Sequence, residues 1–84
     1  MKAYLNWQSK SVKIVKSTIL LFCFEEKCMS GRILKIANRN NLDEFEISVE
    51  FIEPNYFLNE LVEGNIFTVR EASIVLGKGI VIEI

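Results

Sequence analysis

The chain contains no histidine, and it is poor in cysteine, proline and glycine, with two, one and four of them among 84 residues. Without histidine it lacks the commonest general base and the commonest metal ligand of proteins. Two cysteines cannot complete a four-ligand zinc site, and they are too few for a disulfide scaffold. We therefore expect no metal site, no cofactor and no enzymatic activity.

Long apolar runs are also missing. The longest, residues 19–24, is far shorter than the ~20 residues that a membrane-spanning helix requires. The opening "MKAYLNWQ" lacks the apolar core of a secretion signal. We expect a cytoplasmic protein with no membrane contact, in which Cys23 and Cys28 are free thiols. The alternative, a disulfide between them, requires that the pair flank a tight hairpin turn.

Half of the residues are apolar, and many of them alternate with polar ones, as in strands with one buried face. The clearest case is "EFEISVEF", residues 44–51, in which Phe45, Ile47, Val49 and Phe51 occupy every second position. This pattern predicts a strand whose other face is exposed to water.

Five further strands are expected, at residues 3–8, 11–26, 30–38, 65–72 and 73–84. The second of these is long for one strand, so we expect a bend or bulge near residues 16–18. Only residues 56–64 favour a short helical turn. The sequence therefore predicts one domain, residues 1–84, folded as a small six-stranded antiparallel β-barrel whose closure removes exposed strand edges.

Charge is distributed unevenly along the chain, although the formal net charge is only -1. Residues 1–42 hold eight of the ten basic residues, and residues 43–84 hold nine of the eleven acidic ones. Such asymmetry favours a charged partner. The alternative is that the two halves interleave in the barrel and their charges pair.

The acidic half offers one candidate binding surface. Glu44, Glu46 and Glu50 share the polar face of the strand at residues 44–51, and Arg70 and Glu71 end another predicted strand. Carboxylates in a row attract a basic protein electrostatically. We predict a partner-binding site at these five residues, with a merely solvated strand face as the alternative for the glutamates.

The basic half offers a second candidate surface. Its cations, with Tyr4 and Trp7 nearby in sequence, are typical of RNA-binding faces on small barrels. They are Lys10, Lys13, Lys16, Arg32, Lys35 and Arg39. The isoelectric point of about 5.4 argues against this reading, because domains that bind phosphates are usually basic. RNA binding is therefore the alternative to protein binding.

The fragment Gly77-Lys78-Gly79 suggests a phosphate loop at first sight. Such a loop requires Gly-x₄-Gly-Lys-Ser/Thr between a strand and the first turn of a helix. Here Ile80 and a predicted strand follow, so no helix presents its amides. We expect no nucleotide site, and we expect the two glycines to allow close packing instead.

Three segments of the second half, "ISVEFIEP", "LVEGNIFTVREA" and "LGKGIVIEI", carry a family resemblance. They contain, in order, Glu53-Pro54, Gly64, Phe67, Val69-Arg70-Glu71, Gly77 and Gly79. In this combination the chain resembles, over about residues 47–84, the C-terminal β-barrel domain of translation elongation factor Tu.

The resemblance implies a barrel that performs no chemistry of its own. In the full factor this domain packs against the GTPase domain, helps to hold aminoacyl-tRNA and binds the nucleotide-exchange factor. This chain has residues 72–75, Ala-Ser-Ile-Val, where the family has Gly-Gly-Arg-Thr near the tRNA. We therefore expect a stand-alone, non-catalytic module that binds another protein, as small bacterial immunity and antitoxin proteins do.

Overall fold

Six strands and one 3₁₀ helix form the computed structural model, which describes residues 1–84. They are β1 (Lys2–Trp7), β2 (Ile19–Phe24), β3 (Lys27–Asn38), β4 (Glu44–Phe51), the helix (Pro54–Phe57), β5 (Ile66–Glu71) and β6 (Ile74–Glu83). Every strand pairs antiparallel with two neighbours in the order β1-β4-β3-β2-β5-β6, and β6 closes on β1. The predicted six-stranded antiparallel barrel is confirmed. The helix falls short of the length and apolar character that crossing a bilayer demands.

The alternation of residue types places one face of each strand inside the barrel. In β4, Ile47, Val49 and Phe51 are buried while Glu46 is exposed, as the pattern predicted. Phe22 is fully buried and meets Phe51 edge-on, with ring centroids 5.5 Å apart. The core is therefore built from the inward faces of all strands around a few aromatic rings.

Two glycines in β6 allow the strands around them to pack closely. A β-carbon on Gly77 would lie 2.9 Å from the backbone oxygen of Asn6, and one on Gly79 would overlap the ring of Phe67. Both glycines lie inside the strand, with no helix after them. The prediction that they allow close packing is confirmed.

Strand direction sorts the connections into two groups. Because every neighbouring pair is antiparallel, β1, β3 and β5 run one way and the other strands run back. Residues 8–18, 39–43 and 72–73 therefore lie at one end of the barrel. Residues 25–26 and 52–65 lie at the opposite end.

Two of these connections cross the ends of the barrel. β1 and β2 are not neighbours, nor are β4 and β5, so residues 8–18 and 52–65 each pass over an opening. Val12 and Ile14 of the first connection pack against the core, and so do Phe57 and Leu61 of the second. Each crossing thereby closes one end with apolar side chains.

Three predicted boundaries are corrected by the structure. The strand expected at residues 11–26 begins only at Ile19, because Val12 and Ile14 turn into the end of the barrel instead of pairing with a strand. β3 begins at Lys27, three residues before the predicted start at residue 30. The helical turn expected at residues 56–64 is the 3₁₀ helix Pro54–Phe57.

The expectation of free thiols was wrong. Residues 25–26 form a two-residue hairpin turn between β2 and β3, and the ladder places Cys23 directly opposite Cys28. The two residues form a disulfide. The pair therefore meets the one condition under which the sequence allowed a bridge.

Candidate functional site

The predicted acidic ladder does not form a continuous acidic face. It consists of Glu44, Glu46 and Glu50 on the outside of β4. Arg32 on β3 lies opposite Glu50, and Lys35 on the same strand lies opposite Ser48. Lys2 on β1 pairs with Ser48 from the other side. Cations from both neighbouring strands therefore interrupt the ladder.

Arg70 and Glu71 lie apart from the ladder. They belong to β5, which pairs with β2 and β6 but not with β4. Glu71 is exposed, and Arg70 is half-buried with its Nε donating a hydrogen bond to Thr68 Oγ1 at 2.9 Å. The five residues predicted to bind a partner are thus divided between two separate surfaces.

The residues proposed for RNA binding are only partly brought together. Lys10, Lys13 and Lys16 are exposed on the connection of residues 8–18. Lys16 and Lys35 line one surface depression of about 510 Å³, which also includes Lys2 and Glu46. Arg32 and Arg39 lie outside this depression.

Neither aromatic residue near these cations is fully exposed, since Trp7 is buried and Tyr4 is half-buried. Trp7 is buried, and its Nε1 donates a hydrogen bond to the backbone oxygen of Val12 at 2.7 Å. The guanidinium of Arg39 lies 3.6 Å from the centroid of the Tyr4 ring and covers one of its faces. Base stacking, on which single-strand binding relies, has little open aromatic surface here.

The connections at the two ends of the barrel differ in charge. One end, here called the basic end, carries Lys10, Lys13, Lys16, Arg39 and Asp43. The opposite end, here called the acidic end, carries Glu25, Glu26, Glu53, Glu60 and Glu63 and no basic residue on its connections. The uneven charge along the sequence therefore becomes, in the fold, a difference between the two ends.

The acidic end retains most of its charge. Lys27, at the start of β3, forms the one ion pair of the structure, with its Nζ 3.2 Å from Glu60 Oε1. Glu25, Glu26, Glu53 and Glu63 are exposed and have no cation within 4.0 Å. Exposed carboxylates that have no cation beside them can attract a positively charged molecule.

Large apolar side chains are exposed on the same end. Within residues 52–65 they are Ile52, Tyr56, Leu58 and Val62, with exposed fractions of 74, 46, 73 and 48 %. Phe57, in the same segment, is fully buried instead. Apolar groups clustered among polar ones mark interaction sites more often than chance exposure does.

The acidic-end connection, residues 52–65, is held in place from below. The Phe57 ring packs against Phe24 and Phe51, with centroid distances of 5.0 and 5.1 Å. Asn65 Nδ2 donates to the backbone oxygen of Glu60 at 2.8 Å. Since the exposed side chains stand on a packed base, they are presented in a defined arrangement.

Sequence reasoning missed this surface because its acidic groups come from residues 25–26 and 52–65, which only the fold brings to one end. One local signal was available. In "IEPNYFLNELVEG" large apolar residues stand among three glutamates, without the alternation of a strand. Apolar residues placed among acids in a segment outside the strands are candidates for exposure on a connection.

No group of three histidine, cysteine, aspartate or glutamate side chains is arranged to hold a metal ion. Comparisons with known proteins give no further assignment. No family model, no curated protein and no solved structure matches the chain.

Proposed function

We propose that this protein is a non-catalytic binding module that contacts a basic protein surface through its acidic end. The observation that carries the proposal is the combination of four exposed apolar side chains with unpaired carboxylates on one packed connection, residues 52–65. A partner with basic groups around an apolar patch would be complementary to it.

Each component has a separate role in recognition. The apolar side chains supply the contact energy, because removing them from water is favourable. The surrounding glutamates steer a cationic partner to this end and repel acidic proteins. A standard interface buries about 800 Å² on each partner, which is roughly a seventh of the molecular surface of 5446 Å². One end of the barrel is large enough for such an interface.

We also propose a type of protein for this chain. A barrel similar to the last domain of elongation factor Tu, without chemistry of its own, suits a small bacterial immunity or antitoxin protein. In that role the acidic end would cover a basic surface that the target needs for its own activity. The closed six-stranded barrel is compatible with this resemblance.

The experiment compares two variants with three altered residues each. The first alters the acidic end by Glu53→Gln, Glu63→Gln and Leu58→Ser. The second removes the ladder charges by Glu44→Gln, Glu46→Gln and Glu50→Gln. A protein captured from a bacterial extract by the wild type is identified, purified and titrated against all three. We expect the first variant to bind at least about tenfold more weakly, the loss expected from one apolar anchor.

The ladder variant is the control, and we expect its affinity to lie within about threefold of the wild type. If the ladder variant loses the partner while the acidic-end variant keeps it, the proposed surface is wrong. RNA binding is tested in parallel by filter binding across salt concentrations. Salt-sensitive RNA affinity that disappears on mutation of Lys10, Lys13 and Lys16 to glutamine would favour the alternative function.

A further inference from the structure

The wall of the barrel is incomplete between β2 and β5. Their ladder contains only three pairs, from Leu21 opposite Arg70 to Cys23 opposite Thr68. β2 pairs with β3 further, as far as Phe24 opposite Lys27. Where the shorter ladder stops, the surface opens into a cleft of about 410 Å³. Its size falls in the range of pockets that hold small molecules.

Two cations line this cleft, here called the seam cleft. Arg70 and Thr68 project from the outer face of β5, and Lys78 on β6 lies directly opposite Thr68. Because Arg70 Nε donates to Thr68 Oγ1 at 2.9 Å, the guanidinium is fixed in direction. Its terminal N–H groups remain free to bind a ligand.

Neither cation has a counter-charge. No carboxylate oxygen lies within 4.0 Å of Arg70 or Lys78, since the one ion pair of the structure joins Lys27 and Glu60. Glu25 also lines the cleft, but its side chain is exposed and reaches neither cation. Arg70 is half-buried, so it has lost part of its hydration without gaining a negative partner in return.

We infer that the seam cleft binds an oxyanion, a phosphate or carboxylate group carried by a small molecule. The planar guanidinium matches the geometry of such groups and binds them through two parallel hydrogen bonds. Lys78 adds a second positive charge across the cleft, and Thr68 holds the arginine in its binding direction. Gly79 also lines the cleft, but no helix follows the Gly77-Lys78-Gly79 fragment, so the site lacks the helix N-terminus of a phosphate loop.

The inference does not depend on the acidic end or on a protein partner. The cleft borders the acidic end, because Glu25 and Asn65 also line it, but its basic residues come from β5 and β6. A protein whose acidic end binds nothing could still bind an anion here.

The test is a titration of the isotope-labelled protein with inorganic phosphate and, separately, with acetate, followed by two-dimensional NMR at constant ionic strength. We expect saturable shifts of the Arg70 Nε–H signal and of the Thr68 and Lys78 amides. Arg70→Gln should weaken binding about tenfold or more, and Lys78→Gln about threefold. Whichever anion saturates at the lower concentration identifies the preferred group.

Matched controls remove the same charges elsewhere on the barrel. Arg32→Gln and Lys35→Gln should leave the affinity within about twofold. Thr68→Val keeps both cations but releases Arg70, and it should weaken binding several-fold. The inference is overturned if neither anion gives saturable shifts at these three residues. Equal losses of anion affinity in the Arg32 and Arg70 variants would also overturn it, because the affinity would then depend on the net charge of the protein and not on this cleft.

Discussion

The two connections that cross the ends of the barrel resemble each other in path and differ in chemistry. Residues 8–18 and residues 52–65 each join strands that are not neighbours, and each sends apolar side chains into the core. The first carries three lysines and no acid, the second three glutamates and no base. The two connections therefore share a structural role, while their polar residues carry opposite charge.

The difference extends to the way in which each end is closed. At the basic end Val12 and Ile14 are only half-buried, and the Trp7 indole donates a hydrogen bond to the backbone oxygen of Val12. At the acidic end Phe57 is fully buried and touches two other phenylalanines. The acidic end is therefore closed by a more deeply buried side chain than the basic end.

The largest expected effect follows from this difference in closure. Phe57→Ala removes a whole buried ring and should lower the free energy of unfolding by about 3–5 kcal/mol. Val12→Ala removes two half-buried methyl groups and should cost only about 1 kcal/mol. Urea denaturation, followed by circular dichroism, measures both changes.

Tyr56→Ala is the control for the first substitution, because it removes the neighbouring ring from an exposed position. We expect it to cost about 1 kcal/mol or less. If Val12→Ala destabilises the protein as much as Phe57→Ala does, then the two ends contribute equally to stability. That result would contradict the difference in closure between the two ends.

The sequence was informative wherever the strands follow a regular period. The alternation from Phe45 to Phe51 predicted β4 with its bounds, and the strand count gave the barrel. The same rule failed at Val12 and Ile14, which alternate with lysines as a strand would. An extended segment that closes an end of a barrel also has one buried face, so alternation alone cannot separate the two cases.

The candidate site could be predicted only in its chemistry. The excess of acid in the second half was visible, and it led us to expect a basic partner. The location of the acidic surface could not be predicted, because Glu25 and Glu63 lie at the same end of the barrel only as a result of the strand order. Likewise, Arg70 and Lys78 line one cleft because the β5–β6 register sets Lys78 opposite Thr68, and the sequence alone does not fix that register.

The second expected effect concerns the hairpin at the acidic end. Reducing the bond between Cys23 and Cys28 should lower the free energy of unfolding by roughly 2 kcal/mol. The reason is that the bond closes a short loop and so restricts the unfolded chain. The basic end has no covalent closure, so its protection from hydrogen exchange should change little. Denaturation with and without a phosphine reductant, together with amide exchange, measures this.

A thiol titration of the unfolded protein is the direct control. We expect no free thiol before reduction and two after it. The earlier expectation of free thiols rested on an assumed reducing compartment, whereas disulfides persist in oxidising ones. Two reactive thiols in protein purified without reductant would restore that expectation and remove the covalent difference between the ends.

The smallest expected effects concern one position of positive φ in each crossing, a glycine at the acidic end and a serine at the basic end. Gly64, at the acidic end, has a φ of 88°, and Ser17, at the basic end, has a φ of 73°. Gly64→Ala should cost about 1 kcal/mol, because a β-carbon is disfavoured in left-handed backbone. Ser17→Gly should relieve the same strain, and it should gain only a few tenths of a kcal/mol because glycine loses more chain entropy on folding.

Thermal unfolding resolves both changes, since 1 kcal/mol shifts the midpoint of a domain this size by about 4–8 °C. A β-carbon on Gly64 would meet no atom within 4 Å, so crowding cannot explain a loss of stability there. The Ser17 amide donates to the backbone oxygen of Ile33 at 2.8 Å, and this bond survives the change to glycine. If Ser17→Gly destabilises the protein by 1 kcal/mol or more, then the serine side chain stabilises the basic-end crossing. That crossing would then be as tightly specified as the acidic one.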